Sequence, residues 1–254
     1  MGTIIAVVNQ KGGVGKTTTA VSLTAALHDL GLKVLLCDFD PQANATSGMG
    51  LDKRKIKHDV YDVTVDQLPA AQAIVSTPYG DVLPSSADLA GAAVELIGAD
   101  HRERRLSQAL EQVRSGYDVI FIDCPPSLEM LTLNGLCAAD SILVPVQCEY
   151  FALEGLSDLM STLRSVKRRL NPRLEIFGVA LTMFDGRTNF SAQVAQEVRR
   201  HFPGKVFTSV VPRNIRLAEA PSHGVPVTAY DKLSRGAKAY HAMAEEIRAK
   251  LRKD

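Results

Sequence analysis

The chain has 254 residues, 46% of them hydrophobic and 22% charged, with a formal net charge of +1. No apolar run approaches the roughly 20 residues that span a bilayer, and the length suits one undivided α/β domain over residues 1–254. The near-neutral total hides an asymmetry, because residues 1–160 carry 11 Lys/Arg against 20 Asp/Glu and residues 161–254 carry 18 against 8. A basic C-terminal third reads either as a surface for nucleic acid or an acidic partner, or as solvated helix faces.

Ile4-Ile5-Ala6-Val7-Val8 reads as a buried parallel strand. No basic segment precedes it and it runs straight into a glycine loop, so no cleaved leader is expected. The loop is Asn9-Gln10-Lys11-Gly12-Gly13-Val14-Gly15-Lys16-Thr17-Thr18. Behind it Ala20, Leu23, Ala26, Leu27 and Leu30 fall at helical spacing. Strand, glycine loop and helix together are the context that turns this spacing into a phosphate site rather than a turn. Glycines at 12, 13 and 15 free the backbone so that successive N–H groups face phosphate oxygens, and the helix adds its positive end. Lys16 is expected along the β- and γ-phosphates, with the Thr17 hydroxyl on Mg²⁺.

Lys33 to Asp38 reads as a second strand, closed by the acidic turn Asp38-Phe39-Asp40-Pro41. Residues 41–100 are irregular, with only short helical stretches. Glu103 to Val113 has an amphipathic pattern, and Asp118 to Asp123 is a buried strand stopped by Pro125-Pro126. Strands are expected at 141–146, 176–183 and 206–211, and helices at 153–170, 191–202 and 236–252. Strands alternating with helices predict a doubly wound, mainly parallel sheet with helices on both faces. Cys37, Cys124, Cys137 and Cys148 lack the paired spacing of a zinc site; Cys37 and Cys124, in apolar strand-like runs, read as small buried hydrophobes rather than redox or cluster residues, and a reducing cytoplasm fits best.

In such a sheet the ligand lies beyond the carboxyl ends of the strands, where Asp38, Asp40 and Asp123 are expected. Asp123 is expected at a partly buried strand tip, where a carboxylate is costly without a partner and a hydrated Mg²⁺ compensates it, so it reads as a metal holder acting through water; a helix cap or surface turn is the plain alternative. Asp40 can orient an attacking water and accept its proton, or simply form an Asp-Pro turn. Asn44, Thr46 and Ser47 complete a polar loop suited to sensing the γ-phosphate.

With these motifs the sequence resembles the ParA/Soj family of partitioning ATPases, of the deviant Walker A group of P-loop NTPases. The resemblance continues through Val144-Pro145-Val146-Gln147-Cys148-Glu149-Tyr150, the stretch Thr182 to Asn189, and the stretch Val211 to Ser222. Its compact length is similar to the small chromosomal branch, which lacks an N-terminal DNA-binding extension. The resemblance implies an ATPase of weak intrinsic activity with ATP and Mg²⁺ as cofactors. It also implies that Lys11 reaches across an ATP-sandwich homodimer to the partner's phosphates, with Gly12 where the loops approach. Pro212 and Asn214 are implied at the adenine, with Glu149 and Phe151 near the nucleotide and the dimer seam. Arg187 and Arg216 match positions for nonspecific binding of double-stranded DNA. Lys205, Lys232, Arg235 and Lys238 are weaker candidates that read as solvated charge.

By the same likeness a ParB-type partner stimulates hydrolysis and a DnaA-type initiator is regulated, in a nucleoid-associated protein of the cytoplasm. Two related readings compete. A MinD-like membrane-cycling ATPase would need a C-terminal amphipathic helix with bulky insertion residues, and the tail offers only Ile247 and Leu251. Stable membrane association is therefore not expected. A cluster-carrying ATPase like the nitrogenase iron protein would need cysteines in a context that none here matches.

Overall fold

The computed structural model describes residues 2–127, 129–149 and 152–252 and, within them, the side chains of all but 93 and 152–155. The first half contains β1 (Thr3–Val7), α1 (Lys16–Asp29), β2 (Val34–Asp38), α2 (Asn44–Gly48), α3 (Val60–Thr64), α4 (Ala70–Ala73), β3 (Val75–Thr77), β4 (Gly80–Leu83), α5 (Leu89–Glu95) and α6 (Arg105–Glu111). The second half contains β5 (Val119–Asp123), α7 (Met130–Ala138), β6 (Ser141–Gln147), α8 (Ala152–Arg169), β7 (Glu175–Thr182), α9 (Asn189–His201), α10 (Ile215–Glu219), α11 (Val227–Tyr230) and α12 (Arg235–Leu251).

The strands form one sheet in the order β3-β4-β2-β5-β1-β6-β7, parallel except for β3 against β4. Both faces of β1 are covered, which explains its unbroken apolar sequence. Ile4, Ala6 and Val8 point to one side and pack with Leu106, Leu131 and Leu159 of α6, α7 and α8. Ile5 and Val7 point to the other, where Leu23 and Leu27 of α1 and Met243 and Ile247 of α12 close the second core. This is the expected doubly wound, mainly parallel α/β fold, and it brings the ends of β1, β2 and β5 together at one edge.

Two stretches depart from expectation. The irregular region contains a sheet-joining hairpin, β3–β4, whose short strands with Ser, Thr, Asp and Gly carry little periodic signal. The strand expected over 206–211 makes only isolated bridges to β7 and its continuation. The Phe207 and Val211 amides donate to the Val179 and Leu181 carbonyls, but between them the Thr208 and Ser209 amides turn to the Glu246 carboxylate of α12, at 2.9 and 2.7 Å. Those two donors are lost to the ladder. Cys37, Cys124 and Cys148 are buried free thiols, and burial raises the pKa of each.

Candidate nucleotide-binding site

The glycine loop connects the end of β1 to the first turn of α1, where Lys16 begins the helix. Gly13 and Gly15 have φ of 74° and 89°, a region other residues rarely adopt, whereas Gly12 does not need its glycine for backbone conformation. A Cβ at Gly12 would meet no atom within 4 Å, so any crowding there must come from outside this protomer. The loop is tied down at both ends. Asn9 donates from Nδ2 to the Pro145 carbonyl of β6 at 2.8 Å, while its Oδ1 accepts the Lys11 amide at 3.0 Å. Thr182, the last residue of β7, donates its hydroxyl to the Val14 carbonyl at 2.9 Å. Deeper in α1, the Thr19 hydroxyl meets that of fully buried Tyr240 at 3.0 Å, joining α1 to α12.

Lys16 is 7% exposed and its ammonium donates to the Lys11 carbonyl at 3.1 Å. Burial lowers its pKa, against the pull of Asp123 and Asp40. Among the described residues the Lys11 ammonium makes no hydrogen bond or ion pair, and it is partly exposed at the mouth of the loop.

The three carboxylates converge as expected but have different environments. Asp123 ends β5 and is 0% exposed, buried more deeply than a strand tip needs to be. Neither of its carboxylate oxygens has a hydrogen-bond partner of normal geometry, although Thr17 lies near enough to favour the charged form. Burial, then the charge of Asp38, pushes its pKa well up. Asp38 is equally buried, but Thr46 donates both its amide and its hydroxyl to Oδ2 at 2.7 Å, and burial still raises its pKa to about 6. Thr46 is thus a support for Asp38 rather than a loop residue open to phosphate. Asp40 is partly exposed; its Oδ1 accepts the Gln42 amide at 2.9 Å, and its carbonyl accepts the Ser85 hydroxyl at 2.9 Å.

Two orphaned oxygens on a fully buried carboxylate beside a threonine hydroxyl form a donor set that fits a hard divalent cation. Among the described residues no three His, Cys, Asp or Glu side chains form a metal cage. A hydrated Mg²⁺, which keeps several waters of its own, does not require one.

A cleft of about 350 Å³ opens beside the loop, lined by Gly15, Thr18, Met183, Pro212, Asn214 and Tyr240 among others. Met183 there holds φ at 50°, an uncommon value for a residue with a side chain. Pro212 and Asn214 are therefore placed on this cleft. The Asn214 Oδ1 already caps α10 by accepting the Arg216 amide at 2.9 Å, which leaves the amide NH₂ as its free donor. Glu149 pairs with Arg213 at 3.0 Å. Phe151 lies outside the described residues. A larger cavity, about 870 Å³, sits among His28, Lys33, Asp81 and Tyr117, where neither the glycine loop nor the three carboxylates contribute.

Arg187 and Arg216 lie on neighbouring segments, because the Arg213 amide donates to the Phe184 carbonyl. Both are paired. Arg187 grips Asp185 through Nε and Nη2 at 2.9 and 2.7 Å, holding that carboxyl well below its usual pKa. Arg216 pairs with Glu219 at 2.8 Å and Asp231 at 3.3 Å. Lys205, Lys232, Arg235 and Lys238 are exposed. Ser85, Thr182 and Tyr240 complete the site through contacts with residues distant in the chain, which no local pattern announces.

Comparison with known proteins shows what the chain as a whole is similar to. A family model described as an AAA domain matches residues 2–176. The sporulation initiation inhibitor protein Soj of Bacillus subtilis (strain 168) is 54% identical over 98% of this chain and 99% of its own. The chromosome partitioning protein ParA of Caulobacter vibrioides (strain NA1000 / CB15N) is 50% identical over 96% and 93%. A crystal structure of cobyrinic acid a,c-diamide synthase from Mycobacterium smegmatis, with bound ADP and magnesium, superimposes with a TM-score of 0.87 at 37% identity, covering 99% of this chain and 96% of that one.

Proposed function

The chain belongs to the ParA/Soj family of chromosome-partitioning ATPases, and we propose that it is the ATP-driven switch of a chromosome or replicon partition system, built as one ATPase domain over residues 1–254. The observation that supports this most directly is the buried, unpartnered Asp123 carboxylate facing the same end of the sheet as the pinned glycine loop and Asp40.

The amides of residues 12–16 and the Lys16 ammonium hold the β- and γ-phosphates of ATP. Thr17, with Asp123 through water, would hold Mg²⁺, which would supply charge neutralisation at the phosphate oxygens. Thr18, Pro212 and Asn214 flank the base, and Glu149 stands at the nucleotide edge. Asp40 orients the attacking water and accepts its proton. Lys11, partly exposed and without a side-chain partner among the described residues, reaches the phosphates of a second copy and adds positive charge as the γ-phosphate departs. ATP thereby drives a homodimer that binds DNA without reading sequence, through Arg187 and Arg216. A ParB-type partner accelerates a slow hydrolysis that ends the dimer, and a DnaA-type initiator is a further regulated partner. The protein works in the cytoplasm on the nucleoid.

The membrane-cycling alternative gains nothing from the structure. No described helix is long and apolar enough to cross a membrane, Ile247 is fully buried, and Leu251 packs on the same core.

The test compares oligomer size and retention on duplex DNA with ADP, ATP and a nonhydrolysable analogue, for the native chain and Asp40→Ala. The native protein is expected to dimerise and retain DNA only with ATP or the analogue. Asp40→Ala should bind ATP within about threefold of native, hydrolyse it roughly a hundredfold more slowly, and accumulate as dimer. Native turnover in Asp40→Ala would remove Asp40 from the mechanism, and nucleotide-independent DNA retention by the native chain would remove the switch.

A further inference from the structure

Arg216 sits in a cage. Its Nη1 meets Glu219 at 2.8 Å, its Nε meets Asp231 at 3.3 Å, and its guanidinium lies 6.0 Å from the centre of the Tyr230 ring. The Tyr230 hydroxyl donates in turn to Glu219 at 3.3 Å, and His223 stacks on the Tyr230 ring with ring centres 4.8 Å apart. One positive charge therefore faces two negative ones. A DNA phosphate approaching this arrangement meets a locally acidic surface, not a free guanidinium.

The cage is assembled from two separate pieces of chain. Arg216 and Glu219 share the five-residue helix α10, so their pairing travels with it. Asp231 lies outside α10, directly after α11, and its other oxygen accepts the Leu233 amide at 3.2 Å. Meanwhile α10 is itself a wall of the base cleft: Ile215, Leu217 and Ala218 line the cleft. A nucleotide that shifts α10 alters the Arg216–Asp231 contact while leaving Arg216–Glu219 in place.

We infer that Asp231 is an autoinhibitory latch on Arg216, holding it from DNA phosphates until nucleotide binding in the adjoining cleft moves α10 and releases it. This rests on the reading of Arg216 as a DNA contact, and it supplies that contact with its nucleotide control. Exposed ion pairs are individually weak, so the latch tunes binding rather than forbidding it.

The experiment measures retention of the full chain on mixed-sequence duplex DNA, at several salt concentrations, without nucleotide and with a nonhydrolysable ATP analogue. Asp231→Asn keeps the oxygen that caps the Leu233 amide, and Asp231→Ser serves as a second variant should thermal melting show a folding defect in the first. Either should raise nucleotide-free retention about fivefold, the scale of a lost exposed ion pair, and change retention with the analogue by less than about twofold. Glu219→Gln is the control for charge alone and should raise both states by a similar factor. Adding Arg216→Ala to Asp231→Asn should cancel the gain. An equal rise in both states for Asp231→Asn, or no rise, overturns the latch. If Arg216→Ala alone leaves retention with the analogue unchanged, the DNA contact itself is misplaced, a failure separate from that of the latch.

Discussion

The glycine-loop end of the sheet and the arginine ridge beside it present positive charge by opposite constructions. At the glycine loop the cation is buried: Lys16 is 7% exposed, and the loop is anchored by Asn9 and Thr182 to strands 136 and 168 residues away in sequence. On the ridge the Arg187 side chain is 88% exposed and its carboxylate partner, Asp185, is two residues away. Burial with long-range anchoring gives a fixed site whose geometry is set before the ligand arrives. Exposure with local pairing gives charges that exchange partners at small cost.

Substitutions at both ends can break or sharpen that contrast. Lys16→Ala should weaken ATP by more than about a hundredfold, read by calorimetry, because it removes a charge-assisted phosphate contact from a low-dielectric site. Retained tight binding would dissolve the distinction. Thr182→Val removes only an anchor and should weaken ATP about tenfold, with Thr182→Ser restoring it; a loop that tolerates Val is not held from β7. On the ridge, Arg187→Ala should lower DNA retention about equally on all sequences and reduce the salt slope by about one, while leaving ATP affinity unchanged.

The smallest effect concerns Glu246, which ties α12 to the 206–211 segment by holding the Thr208 and Ser209 amides. Burial pushes its pKa up, but the hydrogen bonds from Ser209 and Thr208 outweigh burial and hold it below the usual value of 4.5. The charged carboxylate is therefore the stabilising form: its contribution is present above pH 4.5 and fades as the pH falls through the lower folded value. Glu246→Gln should cost about 1 kcal/mol near neutrality and flatten the acid limb of a melting-temperature profile.

The core of this site was legible because its chemistry is written locally. Gly13 and Gly15 at fixed spacing between an apolar strand and a helix, and Asp123 after four hydrophobes, each carry their meaning within a few residues. Thr182 does not, since a threonine ending a strand gains its role only when β7 lies beside the loop. Strand periodicity over 206–211 was equally real and still misled, because Glu246 competes for two amides from a helix more than thirty residues later. The arginines were readable as charge, but their pairing with Asp185, Glu219 and Asp231 depends on turns that composition does not specify.

The strand order has a further consequence. β1 lies between β5 and β6, deep within the sheet, whereas β7 is an edge whose outer side holds only the interrupted 206–211 segment. Amide protons of β1 should exchange only with global opening, while those around Thr208 and the ridge exchange through local fraying. The glycine loop is thus rooted in the last part of the molecule to come apart, and the arginine-bearing margin can breathe on a faster clock without loosening it.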